Sequence, residues 1–396
     1  MKIEKKFKHW DIKLPSPEWN SDLARKVIDL EKLRDKRLVP ESIDLFMELK
    51  LIFQTLENWA SARIEGNQTR LLDALYNQAN YDEEGSKQAI DKDELENLRK
   101  AIDYVEDYCK DHEQISVSFI LDLHKMVVNG LPSGIDQPGD RTPGKFRTGE
   151  VEITKSDHVP PLGIKVSEYM NELVNFANEN HSIQNFLLVA AVFHHRFTWV
   201  HPFNNGNGRV VRLMTYAMLQ LMGYGVTKNR ILNPTAIFFA DRSRYYMLLS
   251  GADTGSNKGI LDWADYFIGG LIEEIDKIDR LLDKDYILDS ILYPVLKQAH
   301  DTKRLSDDEY TILRWSLQQP SFTFVSGDIN IALGTEKTPL ERSRIIKRMR
   351  ELEIITVAWR SKQRYVIELW SPNFTIFLVD VLKKEGFVES DQPAAS

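Results

Sequence analysis

Residues 42–65, "SIDLFMELKLIFQTLENWASARIE", carry apolar side chains at mostly three- and four-residue steps, which predicts an amphipathic helix stopped by Gly66. The same period predicts a helix over 92–111, with Leu95, Leu98, Ile102 and Val105 on one stripe, and another over 116–129 capped by Ser116 or Ser118. Residues 131–150, "LPSGIDQPGDRTPGKFRTGE", interrupt the pattern with glycine and proline and predict an extended loop. "EVEIT" then alternates, "KSDH" turns and "VPPL" follows, which predicts one small hairpin near 150–160. Helical spacing resumes at 165–180, 183–199, 208–222, 241–250 and 260–285. Beyond about residue 300, "SDDEYTILRWSLQQ", "SGDINIALG" and "TPLERSRIIKRMRELEII" read as three helices, and "TVAWRSKQRYVIEL" as two strands around a charged turn. Helix, helix, helix, hairpin is the layout of a winged helix-turn-helix. The chain is expected to be mainly α.

Length and composition narrow this picture. A chain of 396 residues is long for one domain, so two or three are expected. With 42% hydrophobic and 28% charged residues it reads as globular rather than disordered. A net charge of −8 excludes a global basic field for nucleic acid; any such contact would be local. The one cysteine, Cys109, excludes an internal disulfide or a cysteine-built zinc site and fits a reducing, cytoplasmic setting. "MKIEKKFKHW" lacks the apolar core of a signal peptide, and "FLLVAAVF" at 186–193 is too short to cross a bilayer, so no membrane partner is expected.

Between two of the predicted helices lies "WVHPFNNGNGRVVRL", residues 199–213. Pro202 turns His201 out of helical geometry, and Gly206 and Gly208 let the backbone turn tightly and approach a ligand. The next helix would open at about Gly208, run through "RVVRLMTYAMLQLM" and stop at Gly223. A helix N-terminus opening from a glycine loop is an anion site. Arg209 and Arg212, three apart on that first turn, oppose the helix dipole unless an anion of several charges sits between them, and a polyphosphate is the economical choice. His201 would then be the group there able to take a proton near neutral pH. The alternative is an Asn/Gly turn with two solvated arginines and a core histidine.

The ordered string H-P-F-x-x-G-N-G-R-x-x-R, preceded by "FHHRFTWV", resembles the signature of the Fic family of protein adenylyltransferases. The resemblance covers roughly 42–285 and implies a mainly α fold: a Fic-type helical bundle with a β-hairpin flap, with a C-terminal winged helix as companion. It places an N-terminal helical region at 1–110, including an inhibitory helix at about 42–66, a catalytic core at 111–290 and a winged-helix domain at 300–390. It implies transfer of AMP from ATP, with Mg2+ as cofactor, to a Ser, Thr or Tyr hydroxyl of a protein target, itself included. By position His201 would be the general base and Phe203 the buried anchor. Gly206, Asn207 and Gly208 would cradle the α- and β-phosphates, Arg209 would neutralise phosphate charge and Arg212 would hold the γ-phosphate, with Val210 and Val211 in the same nucleotide-binding stretch. The family usually has Asp or Glu before the first glycine to hold Mg2+; Asn205 stands here, which implies weaker metal binding, a lower rate or a changed reaction.

"SARIEG", residues 61–66, matches the family's inhibitory pattern: Ser61, Glu65 and Gly66, with Glu65 pairing Arg212 and blocking the γ-phosphate. Of Tyr245 and Tyr246, one should line the adenosine pocket, Tyr246 preferred, and the other should be core. His194 reads as structural rather than as a metal ligand. The basic stretch "TPLERSRIIKRMR" would touch DNA only weakly beside so acidic a chain, and a homodimer is compatible with the family. Other readings are a nucleotide-binding regulator with a weak or inactive Fic core, a Fic enzyme that removes AMP, or one using another phosphate donor.

Overall fold

The computed structural model describes residues 7–388 apart from 37, 77–86, 135–136, 154–155, 181, 183–184, 225–230, 360 and 362. In chain order the helices are α1 (Asp22–Asp35), α2 (Ile43–Ile64), α3 (Leu71–Tyr76), α4 (Lys87–Asp111), α5 (Val117–Val127), α6 (Val166–Glu179), α7 (Phe186–Val200), α8 (Asn207–Leu221), α9 (Thr235–Ala240), α10 (Arg242–Ala252) and α11 (Asn257–Asp279). They continue as α12 (Lys284–Tyr286), α13 (Tyr293–Asp301), α14 (Asp307–Ser316), α15 (Asp328–Leu333), α16 (Pro339–Glu351) and α17 (Thr375–Lys384). Strands β1 (Phe324–Val325), β2 (Ile355–Val357) and β3 (Arg364–Ile367) form one antiparallel sheet in the order β1-β3-β2. Among the described residues no helix is long and apolar enough to cross a membrane.

The chain folds as two units, one of residues 1–37, 57–69 and 81–276, the other of 38–56, 70–80 and 277–396. In the first, α7 is buried along nearly its whole length, His194, His195 and Arg196 included, and packs on α6 and α8, while α8 also packs on α4 and α5. Two polar groups inside this core illustrate how burial is offset by pairing. His194 sits between Thr215 Oγ1 (2.8 Å) and the Tyr245 hydroxyl (2.9 Å), and burial holds its imidazole well below the ordinary value. The buried Glu57 carboxylate accepts from the backbone N–H (2.9 Å) and hydroxyl of Thr235 at the start of α9, and burial pushes its carboxyl up to about 7.

In the second unit, Ser306 with Glu309 and Thr338 with Glu341 form capping boxes that start α14 and α16. The sheet register pairs Phe324 with Tyr365 and Ile355 with Ile367. Glu48 accepts from the Leu369 N–H at 2.6 Å, and burial, reinforced by Glu368, pushes its carboxyl up to about 9.

Three sequence expectations change. The helix expected over 260–285 ends as α11 at Asp279, with a 3-10 turn at Arg280–Leu282 before the Asp283 side chain caps α12. α4 begins at Lys87, ahead of residue 92, because its apolar stripe starts only at Leu95 while helix-forming polar residues already lead in. The hairpin expected near 150–160 has no strand among the described residues, with 154–155 outside them. Pro160 and Pro161 have no N–H for a ladder, and the Gly149 and Pro161 carbonyls accept from Arg147 instead.

Candidate functional site

The turn between α7 and α8 closes around one inverted residue. His201 ends α7 with left-handed backbone angles (φ 50°, ψ 63°) and gives its N–H to the Phe197 carbonyl at 3.0 Å. For a residue other than glycine that geometry costs on the order of 1–3 kcal/mol and needs support from outside. Arg147, 2% exposed, supplies it. Its Nε donates to the His201 carbonyl (2.7 Å), Nη2 to the Val200 (3.1 Å) and Pro161 (2.7 Å) carbonyls, and Nη1 to Gly149 (2.8 Å). Two of these bonds hold the segment of chain carrying the histidine, and the other two tie it to the Gly149 and Pro161 carbonyls.

The loop beyond is closed on itself. Asn207 accepts from the Phe203 N–H and donates to the Phe203 carbonyl, both at 2.9 Å, so its amide clasps the loop. The buried Phe203 ring stacks on His124 at 3.7 Å with planes 6° apart. His124 accepts from the Gly144 N–H through Nδ1 (3.0 Å), which leaves the proton on Nε2 for the Asn205 carbonyl (3.2 Å). Burial pulls this imidazole down to about 4. Asp140 accepts from the N–H groups of Asn204 and Asn205, each at 3.1 Å; burial raises its carboxyl, but these bonds and those from Thr142 outweigh it and hold it below the ordinary value. Asn205 turns Oδ1 to the Gly206 N–H (2.7 Å) and Nδ2 to the Gln137 and Gly139 carbonyls, so its amide is occupied at both ends.

Gly206, with φ 77°, adopts the region that glycine alone enters freely, and a Cβ there would press on Val128 at 3.1 Å. α8 follows, its first N–H groups having no preceding turn to bond. Val210 and Val211 are fully buried, and the Val210 N–H bonds the Gly206 carbonyl at 3.0 Å, so both residues pack the core rather than face the loop.

The two arginines diverge. Arg212 donates Nη2 to Glu65 Oε1 at 2.8 Å, Nε to Ser61 Oγ at 2.9 Å and Nη2 to the Ser61 carbonyl at 3.0 Å. Burial pushes the Glu65 carboxyl up, but the charges of Arg212, Arg209 and His201 and the Arg212 bond prevail, holding it below the ordinary value. The same carboxylate stands where a Cβ on Gly208 would lie, against the first turn of α8. Gly66 reverses the chain after Glu65 with φ 102°. Arg209 instead faces Glu94 Oε1 at 2.8 Å and the Val127 (3.3 Å) and Pro138 carbonyls, and is itself 1% exposed. Burial raises the Glu94 carboxyl against that charge.

His201 is half-buried beside this cluster; burial first, then the Arg147 charge, pull its imidazole down to about 4. Tyr246 is half-exposed and within electrostatic reach of Glu65 and Arg212, while Tyr245 is core. The structure thus brings together His201, Gly206, Gly208, Arg212, Ser61, Glu65 and Tyr246, and adds Arg147, Asp140, His124 and Glu94, which local sequence patterns do not single out.

Residues 114–219 match the Fic/DOC family. The chain is 27% identical over 226 residues to protein adenylyltransferase Fic of Nematostella vectensis, covering 55% of this chain and 46% of that protein. It is 28% identical over 170 residues to protein adenylyltransferase Fic of Drosophila ananassae, covering 43% and 31%. It therefore spans less than half the length of these curated relatives. Its fold is similar to the crystal structure of a Fic family protein from Desulfovibrio desulfuricans G20, with TM-score 0.56 and 20% identity over 90% of this chain and 98% of that one. It also resembles a Fic domain containing signaling protein from Bacteroides thetaiotaomicron, with TM-score 0.52 and 17% identity over 66% of this chain and 98% of that one.

Proposed function

We propose that this chain, a Fic/DOC family protein over residues 114–219 and a distant relative of the protein adenylyltransferases, transfers AMP from ATP to a serine, threonine or tyrosine hydroxyl of a protein target. The reading rests on one observation above all: a carboxylate, Glu65, already sits at the first turn of α8 on the arginine that a polyphosphate would need. A helix N-terminus and a buried guanidinium make an anion site, and Glu65 is the anion in residence.

Backbone groups of Gly206 to Gly208 would receive the α- and β-phosphates and Arg212 the γ-phosphate. His201 would take the proton of the target hydroxyl while its oxygen attacks the α-phosphorus; the bond to the bridging oxygen breaks and pyrophosphate leaves. An imidazole pulled down to about 4 is neutral at pH 7 and so has its acceptor nitrogen ready, and the negative charge of an entering nucleotide raises its basicity. Tyr246 would border the adenosine. Glu65 and the γ-phosphate cannot share Arg212, so α2 acts as a brake built into the chain.

Family enzymes typically use Mg2+ with ATP. The residues here do not make a protein-held site for that ion: Asn205 has no charge and its amide is bonded at both ends, and no group of three His, Cys, Asp or Glu suited to a metal lies among the described residues. Asn205 therefore favours a second reading, a nucleotide-binding regulator with little turnover. The helices α14 to α16 and the antiparallel sheet support the reading of 300–390 as a winged helix, which would serve to meet a protein partner. Incubation of the Glu65→Gly protein with α-labelled and, separately, γ-labelled ATP decides between these. Label from the α position alone supports AMP transfer, label from γ means kinase chemistry, and no label from either favours the regulator.

A further inference from the structure

Glu65 reaches Arg212 from just beyond α2, a place where a chain has little rigidity of its own. The segment after it is fastened. Asn67 is 4% exposed and bonded at every polar atom of its amide. Nδ2 donates to the Asp91 carbonyl (3.0 Å) and to Glu94 Oε2 (2.8 Å), Oδ1 accepts from the Thr69 N–H (2.9 Å), and the Asn67 carbonyl accepts from Arg63 Nη1 (3.1 Å). Glu94 in turn gives its other oxygen to Arg209 at 2.8 Å. One buried carboxylate on α4 thus holds both the end of α2 and the first arginine of α8.

We propose that Asn67 is a positioning residue for Glu65: through Glu94 it pins the end of α2 to α4, and so sets how tightly Glu65 holds Arg212. The inference rests on the reading of Glu65 as the group that excludes the γ-phosphate. Asn67 lies two residues past Glu65, and its side chain bonds neither Arg212 nor the loop that carries His201. Loosening it frees the carboxylate and leaves the reacting groups in place. A residue that merely stabilised the fold would lower activity when replaced; this one restrains it.

The test uses the full chain as wild type, Asn67→Ser, Glu65→Gly and the double variant. Serine keeps an oxygen for the Thr69 N–H and loses the donor to Asp91 and Glu94. Asn67→Asp, of the same size, sets a like charge against Glu94 and serves as the second variant. Binding of a non-hydrolysable ATP analogue, labelling kinetics with α-labelled ATP and amide hydrogen exchange over 61–66 are measured. Two bonds are lost but only part of their free energy reaches Glu65, so analogue affinity should rise roughly three- to ten-fold, less than in Glu65→Gly, with KM lower and kcat unchanged, and exchange over 61–66 should quicken. In the Glu65→Gly background Asn67→Ser should add nothing. A gain in Glu65→Gly with none in Asn67→Ser or Asn67→Asp overturns the clasp alone. Glu65→Gly binding no better than wild type overturns the brake and the clasp with it.

Discussion

Replacing Glu65 by glycine tests the site most directly, because its size can be worked from the contacts. Glu65 meets Arg212 in one charge-assisted bond of 2.8 Å. Bonds to charged groups contribute about 1.5–3 kcal/mol. The Glu65 side chain keeps 32% of its exposure, so solvent screening places the pair at the lower end, about 1.5–2 kcal/mol. At that strength Arg212 is open in roughly one molecule in ten to thirty, and a ligand that needs the open form binds more weakly by the same fraction. Glu65→Gly should therefore bind a non-hydrolysable ATP analogue about ten- to thirty-fold more tightly by calorimetry. ADP, without a γ-phosphate, should gain far less. Ser61 keeps its two bonds to Arg212, so the fold survives, and melting should drop by only a few degrees. A folded variant whose ATP-analogue affinity stays within twofold of wild type, or which gains equally for ADP, would refute the competition.

The other expectations concern the reacting group and its supports. His201→Ala should reduce labelling from α-labelled ATP by about 10²–10⁴-fold and leave analogue binding nearly unchanged; residual labelling above a tenth would exclude a proton-transfer role. In the free Glu65→Gly protein the imidazole should stay neutral well below pH 6.5, so kcat/KM for labelling should fall on the acid side only as pH approaches about 4. Arg147→Lys keeps the charge but loses the fork that holds the His201, Val200, Pro161 and Gly149 carbonyls, so kcat should fall at least ten-fold with circular dichroism preserved. Glu48 is protonated in the folded chain up to about pH 9 and ionised when unfolded above 4.5, so it costs stability progressively as pH rises through that window. Glu48→Gln should flatten the pH dependence of the urea midpoint between 4.5 and 9, and an unchanged slope would discard the assignment.

Much of this is legible in the sequence because it is local. Apolar stripes mark α2, α5, α6 and α8; Ser116 does cap α5, accepting from the Phe119 N–H at 3.1 Å, and Gly66 and Gly223 stop their helices with positive φ. The order of residues 201–212 points to an anion site without any knowledge of the fold. The features that escape are non-local. Glu94 and His124 sit in ordinary helical patterns, and nothing near them in sequence says that they face residues 115 and 81 positions away. Asp140 and Arg147 are charges inside a Gly/Pro-rich stretch, and only the fold shows that they are buried. Spacing puts Arg209 and Arg212 on one face, yet three residues leave about 60° between their directions, enough to send one to α4 and the other to α2. Alternation suggests the hairpin near 150–160 but says nothing about whether a partner strand or an arginine will take the carbonyls.

The clasp of Asn207 on Phe203 has a bearing on how fast the site can respond. A phosphate loop that waits open must be ordered by whatever arrives, and each arrival is slowed by that search. Here the Asn207 amide closes the loop through contacts internal to the chain, so on the reading proposed above the ordering entropy is settled when the chain folds. Nucleotide encounter would then run at the pace of diffusion and of the Glu65 carboxylate's departure from Arg212.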